Sequence, residues 1–172
     1  TRLLKKNLVM DLEIIDNFLP ERDFSVIQSV LLGRLFPWYW NEGSVHNKNF
    51  AIKGQPQLTH LFFKDGVRSD FYDPFNPVLK KLQAVTLVKI KANLNFKTFF
   101  KRNTGYHMDT VDGDIKTAVF YINTNSGGTK FKGGKFVRSV ENRVVIFDSN
   151  LFHTGVTCTK GRRVVANINF VR

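Results

Sequence analysis

From residue 86 onward the apolar residues of this chain recur at every second position, and this change of period limits the possible folds more than any other feature. In "TLVKIKANLNF" (86–96), Leu87, Lys89 and Lys91 alternate with Val88, Ile90 and Ala92. A strand sends successive side chains to opposite faces, so period two reads as β-structure. "IKTAVFYIN" (115–123) is a strongly apolar strand that ends at "TNSGG". "TKF" (129–131) and "GKFVRSV" (134–140) flank Gly133-Gly134, a pair suited to a hairpin turn. "NRVVIF" (142–147) and "RRVVANINF" (162–170) are further strands, with "HTGVTCTKG" between them as a connection.

The first half reads differently. "LPERDFSVIQSVLLGRLF" (19–36) suits a helix. Pro20 fits its first turn, Glu21 and Asp23 suit the positive end of the helix dipole, and Phe24, Ile27, Leu31 and Leu35 share a face. "QLTHLFF" (57–63) suits a short strand. "DPFNPVLKKLQAV" (73–85) suits a second helix, with Asp73 capping and Pro74 at the first helical position. Helices followed by about seven short strands imply a mostly β, α+β chain, a sandwich or barrel with helices packed outside. The 17 Phe suit a core built from aromatic side chains.

At 172 residues the chain suits a single domain, 1–172, with a helical support over about 1–85 and a β core over about 86–172. Cys158 is the only cysteine, which excludes an intrachain disulfide framework and reads as a small buried apolar residue. No apolar run approaches a membrane span, and Asp11, Glu13 and Asp16 interrupt the apolar start that a signal peptide needs. The expectation is an intracellular, cytoplasmic protein without a membrane partner. The net charge of +12 attracts polyanions or acidic substrates, so nucleic acid is a candidate partner beside a simply solvated basic surface.

The candidate chemistry sits in "GYHMDT" (105–110). On an extended segment His107 and Asp109 face the same way and Met108 the other. Two imidazoles and one carboxylate on one face of a metal leave positions open for cosubstrate and O₂. His153, 44 residues after Asp109 (153 − 109), can supply the second imidazole. The alternative is a histidine–aspartate hydrogen bond in a loop.

Ten positions past His153 stands Arg163. On an alternating strand, Arg163, Val165, Asn167 and Asn169 share one face, while Arg162, Val164, Ala166, Ile168 and Phe170 share the other. The second face is nearly all apolar and must pack inward. An arginine with asparagine neighbours on the first implies a polar cavity, and its planar fork suits a carboxylate. The alternative is an Arg163 that faces solvent.

His107-Met-Asp109, then His153, then "TGVTCTKGRRVVANINF" resembles the 2-oxoglutarate- and Fe(II)-dependent dioxygenases, closest to the prolyl-4-hydroxylase-like branch and its small bacterial and phage members. The resemblance covers about residues 86–172, with "IDNFLPERDF" (15–24) resembling the helix entry less specifically. It implies a double-stranded β-helix, or jelly-roll, with flanking helices at the N-terminal side. It implies Fe(II), 2-oxoglutarate and O₂ as cofactor and cosubstrates, with hydroxylation of a C–H bond and release of succinate and CO₂. His107, Asp109 and His153 match the iron ligands. Arg163 matches the residue that holds the far carboxylate of 2-oxoglutarate, with the adjacent Arg162 as the other choice of register. Asn167, Tyr121 and Asn93 match pocket-lining positions, and Tyr121 is placed to bond the cosubstrate carboxylate. A protein or peptide side chain, or a small molecule, is the implied substrate.

Two rival readings share the pattern. A cupin-type metalloenzyme without 2-oxoglutarate has no use for Arg163. A non-catalytic nucleic-acid-binding barrel has no use for the three ligands. Of the other conspicuous residues, His46 and His60 read as surface or structural, "FPWYW" (36–40) as aromatic packing, and Asp112, Asp114 and Asp148 as loop and turn residues. The segment 36–75 is expected to frame the entrance.

Overall fold

A computed structural model describes residues 11–42 and 55–172. His46 and much of the irregular stretch after Trp40 therefore lie outside the described residues. The described elements are β1 (Glu13–Ile15), α1 (Glu21–Leu32), β2 (Tyr39–Asn41), β3 (Gln57–Lys64) and β4 (Val67–Arg68). A 3₁₀ turn (Asp73–Phe75) then leads into α2 (Asn76–Leu82). The strands β5 (Thr86–Phe96), β6 (Lys116–Tyr121), β7 (Gly128–Phe131), β8 (Phe136–Arg138), β9 (Arg143–Asp148), β10 (His153–Val156) and β11 (Arg162–Val171) follow.

These strands make two antiparallel sheets. The larger runs β1-β9-β6-β11-β5-β3-β2, with β4 paired to β3, and the smaller runs β10-β7-β8. Bridges Asn103–Val156 and His107–His153 add the segment before β6 to the free side of β10. The result is a jelly-roll with helices on one face. β1 to β4 also join the larger sheet, so it draws on both halves of the chain.

Alternation splits the apolar residues into two layers. Phe120, Ile146, Ala166, Ile168 and Phe170 face the helices, where they pack with Phe18, Phe24, Ile27 and Leu31. Val119, Tyr121, Val145, Phe147 and Val165 face the smaller sheet and meet Phe131 and Val137. Fully burying one such side chain stabilises by about 1.5–3 kcal/mol. The amide of Asn142 ties the layers together: its Oδ1 accepts from the Leu19 N–H at 2.9 Å and its Nδ2 donates to the Leu19 carbonyl at 2.8 Å. This fixes the entry of α1 over the sheet.

Several sequence expectations need correction. α1 ends at Leu32, where Gly33 turns extended and donates to the Val30 carbonyl, so Leu35 lies past the helix at 96% exposure. Asp73 makes no side-chain cap. "HTGVTCTKG" is not only a connection, because its first four residues are β10. In β5, Asn169 pairs with Lys89 but Phe170 with Leu87, so Val88 is the extra residue of a bulge. Leu87 thereby joins Ile90 and Ala92 toward the helices, and Val88 is left outward. The turn at Gly133 and Gly134 is as expected, both with positive φ. Among the described residues no helix is long and apolar enough to cross a membrane.

Candidate metal centre

His107 and His153 face each other across an antiparallel bridge: each backbone N–H donates to the other's carbonyl at 2.9 Å. Their ring centroids lie 4.6 Å apart. Asp109 is anchored by its own N–H, which donates to the Ser149 carbonyl at 2.9 Å. One ligand atom from each of His107, Asp109 and His153 lies within 4.8 Å of the others. The 44-residue separation is closed because β10 follows β9 directly and pairs back onto the 103–107 segment.

The hydrogen bonds around the triad leave its ligand atoms free. His107 Nδ1 sits 3.0 Å from the Gly105 carbonyl and His153 Nδ1 2.9 Å from the Leu151 carbonyl. A carbonyl only accepts, so in each neutral ring Nδ1 carries the proton and Nε2 keeps a lone pair. Asp109 Oδ2 accepts from Thr117 Oγ1 at 2.7 Å and from Asn169 Nδ2 at 3.0 Å. Oδ1 then faces His107 Nε2 at 3.5 Å. Two electron-rich atoms at that separation want a proton or a cation between them, so the donor set fits a divalent metal.

Electrostatics agree. Burial opposes ionisation of Asp109, but contact with His107, the nearby His153 and the bonds from Thr117 and Asn169 outweigh it and hold the carboxyl well below the usual carboxylate range. Burial pushes the His153 imidazole below its ordinary value, against the pull of Asp109. Both ligands are thus kept in the form that binds metal.

A cavity of about 370 Å³ opens beside the triad, between the sheets. Arg163 lies in its wall at 4% exposure. Its Nη1 donates to Asn95 Oδ1 at 3.0 Å, and its Nη2 lies 3.4 Å from Thr129 Oγ1. Nε has no partner, and no carboxylate forms an ion pair with the guanidinium among the described residues. Asn93 Oδ1 and Asn167 Oδ1 are likewise buried without partners. A buried cation with only neutral acceptors is costly, and an anionic ligand offsets that cost.

Of the residues singled out from sequence, His107, Asp109, His153, Arg163, Asn93 and Asn167 all line this cavity. Tyr121 does not: it is fully buried, and its hydroxyl donates to Thr129 Oγ1 at 2.8 Å, in a layer beneath Arg163. Arg162 points away and donates to the Leu32 carbonyl at the end of α1. Met108 lines the cavity too, since the chain bends at Asp109 and strict alternation fails. His60 is structural, with Nδ1 on the Pro37 carbonyl and the ring among Phe36, Phe62 and Phe71. "FPWYW" divides: Phe36 is buried, while Tyr39 and Trp40 are exposed. Asp148 ends β9 in an ion pair with Lys116, and Asp112 and Asp114 form an exposed turn.

Sequence reasoning missed Asn95, Thr129, Lys89 and Lys91 as cavity residues, and Thr117 and Asn169 as supports of Asp109. Asn169 and the two lysines already lay on the correct faces of alternating strands. Nothing local marks Thr117 or Thr129.

No family model matches the chain, and no curated protein matches its sequence. Solved structures do match in fold. A prolyl hydroxylase from Trichoplax adhaerens, in complex with a hypoxia inducible factor oxygen degradation domain peptide, superposes with TM-score 0.65 at 12% identity over 95% of this chain and 84% of that one. A Pseudomonas putida prolyl-4-hydroxylase gives TM-score 0.57 at 14% identity over 95% and 94%. An epimerase of nogalamycin biosynthesis, in complex with Fe³⁺, α-ketoglutarate and nogalamycin RO, gives TM-score 0.64 at 10% identity over 94% and 79%. The chain has the jelly-roll fold of the 2-oxoglutarate–Fe(II) oxygenases and carries on it a His-Asp-His set able to hold a metal.

Proposed function

We propose that residues 1–172 act as one Fe(II)- and 2-oxoglutarate-dependent oxygenase domain. The observation that carries this reading is a juxtaposition: three free ligand atoms and a buried, anion-less arginine line one cavity. The same fold in a peptide-binding prolyl hydroxylase and in an α-ketoglutarate-bound epimerase supports it.

His107, Asp109 and His153 would hold the metal at the wall of the cavity. Bound there with 2-oxoglutarate and O₂, Fe(II) supplies the oxidising power that breaks an unactivated C–H bond, with succinate and CO₂ as by-products. Arg163, braced by Asn95 and Thr129, receives the far carboxylate as a charge-assisted, forked pair. Asn93 and Asn167 offer amide groups to the same ligand. Thr117 and Asn169 keep Asp109 ionised and aimed. Hydroxylation of a peptide side chain or small molecule is the reading we favour, and the nucleic-acid expectation gains no support from the similar structures.

Succinate formation from 2-oxoglutarate by the iron-loaded chain tests this. Succinate in proportion to bound metal is expected, even slowly without substrate. Metal bound by the triad with no turnover of 2-oxoglutarate under any substrate pool contradicts it.

A further inference from the structure

The cavity has two cationic regions, and Arg163 accounts for only one. In the β5–β11 register, Asn95 pairs with Arg163, Lys91 with Asn167 and Lys89 with Asn169. Asn95 to Lys91 is four residues, which is ~13 Å along a strand. The two lysines thus sit at the far end of the cavity wall from the arginine, both lining it. A second hollow of about 150 Å³ shares Lys89 and Asp109 with the main cavity and adds Lys64 and Asp65. Lys64 pairs directly opposite Lys89 across β3 and β5.

Like charges placed directly opposite in a sheet are destabilising. Here Lys64 and Lys89 stand directly opposite, and Lys91 lies two residues along the same strand face. Lys64 leans on the exposed Asp65 at 3.7 Å, but no ion pair or hydrogen bond of the described residues engages the ammonium of Lys89 or Lys91. Residues 1–10 and 43–54 contain no Asp or Glu, so every acidic side chain of the chain is among the described residues. The acidic residue lining the cavity is Asp109, whose charge reaches Lys91 but is shared with His107 and His153. Both lysines are half-buried, so the repulsion is poorly screened by water.

We propose that Lys89 and Lys91 form an anion subsite, with Lys64 at its rim, for a carboxylate or phosphate group of the substrate. The word substrate rests on the oxygenase reading; the anion site does not. The subsite adjoins Asp109, so an anion held there would lie beside the metal triad. It is distinct from the Arg163 end, which takes the cosubstrate.

Titration of the full chain, followed by NMR, tests this with two probes: inorganic phosphate and an acetylated di-aspartate peptide. Each is run with and without saturating 2-oxoglutarate, on the native chain and on the K89Q/K91Q double variant. Saturable binding of at least one probe is expected, undiminished by 2-oxoglutarate and weakened about tenfold or more in the variant. The variant should melt no lower than the native chain, because a repulsion has been removed. Preference for phosphate or for peptide names the source of the anion. No saturable binding of either probe, competition with 2-oxoglutarate, or full binding by a folded variant would each overturn the proposal. Probe binding in a chain that fails to bind 2-oxoglutarate would sink the oxygenase reading and still support the subsite.

Discussion

Asn169 Nδ2 donates to Asp109 Oδ2 at 3.0 Å, across 60 residues of sequence. The bond occupies the oxygen that faces away from His107 and leaves Oδ1 directed at it. Asn169→Ala should therefore loosen and reorient the carboxylate while leaving all three ligands in place. Support of this kind is typically worth ~10–100-fold in metal affinity. Metal titration of the variant checks it, and an unchanged dissociation constant would show that Asn169 is only packing.

Arg163 is a buried cation whose hydrogen-bond partners are neutral. Replacing it with methionine should leave the ligand-free chain as stable as before or more so, since a desolvated charge is removed. Thermal stabilisation by 2-oxoglutarate, about 2.7 kcal/mol at a hundredfold excess over its dissociation constant, should vanish. Arg162→Ala removes only the bond to the Leu32 carbonyl, so it should cost about 1 kcal/mol of stability and keep the response to 2-oxoglutarate.

Acidification should weaken the site through His153 before Asp109. Burial places the folded-state value of His153 below its unfolded value of about 6.5. The unfolded chain then binds more protons below that pH, so stability is present above it and falls as pH drops. Asp109, also depressed, adds a second loss only below about 3.9. The melting temperature of the metal-free chain should fall between neutrality and pH 5, and a metal-loaded chain should bind its metal more weakly as the pH drops. His153→Leu should flatten that part of the curve; an equally steep fall in the variant would assign it to other groups.

Gly155 lines the cavity beside Arg163. A Cβ there would stand 2.9 Å from Thr104 Oγ1 and 3.4 Å from Arg163 Nη1. Gly155→Ala should displace the guanidinium and weaken 2-oxoglutarate several-fold while metal affinity holds. Calorimetric titration with each ligand separates the two effects.

Alternation makes the inner face of β11 legible: it puts Arg163, Asn167 and Asn169 together and Arg162 on the other side, as the structure does. The triad was legible because few histidines compete for it. What stayed hidden is what depends on long-range pairing. Asn95 and Thr129 reach Arg163 across 68 and 34 residues; alternation puts Asn95 on the right face of its strand but does not name its partner, and Thr129 carries no local signal. The bulge at Val88 and the bend at Asp109 break period two where the site is built. Tyr121 was on the expected strand and face, but Thr129 intervenes between its hydroxyl and the cavity.

The most direct test is an anaerobic titration of the metal-free chain with Fe(II) and 2-oxoglutarate, following the visible charge-transfer absorption of the chelate. One equivalent of iron per chain should develop the band with the native chain, and none should develop with folded Asp109→Ala. A native chain that forms no chelate, or an Asp109→Ala chain that forms it undiminished, would contradict the assignment of His107, Asp109 and His153 as the metal centre.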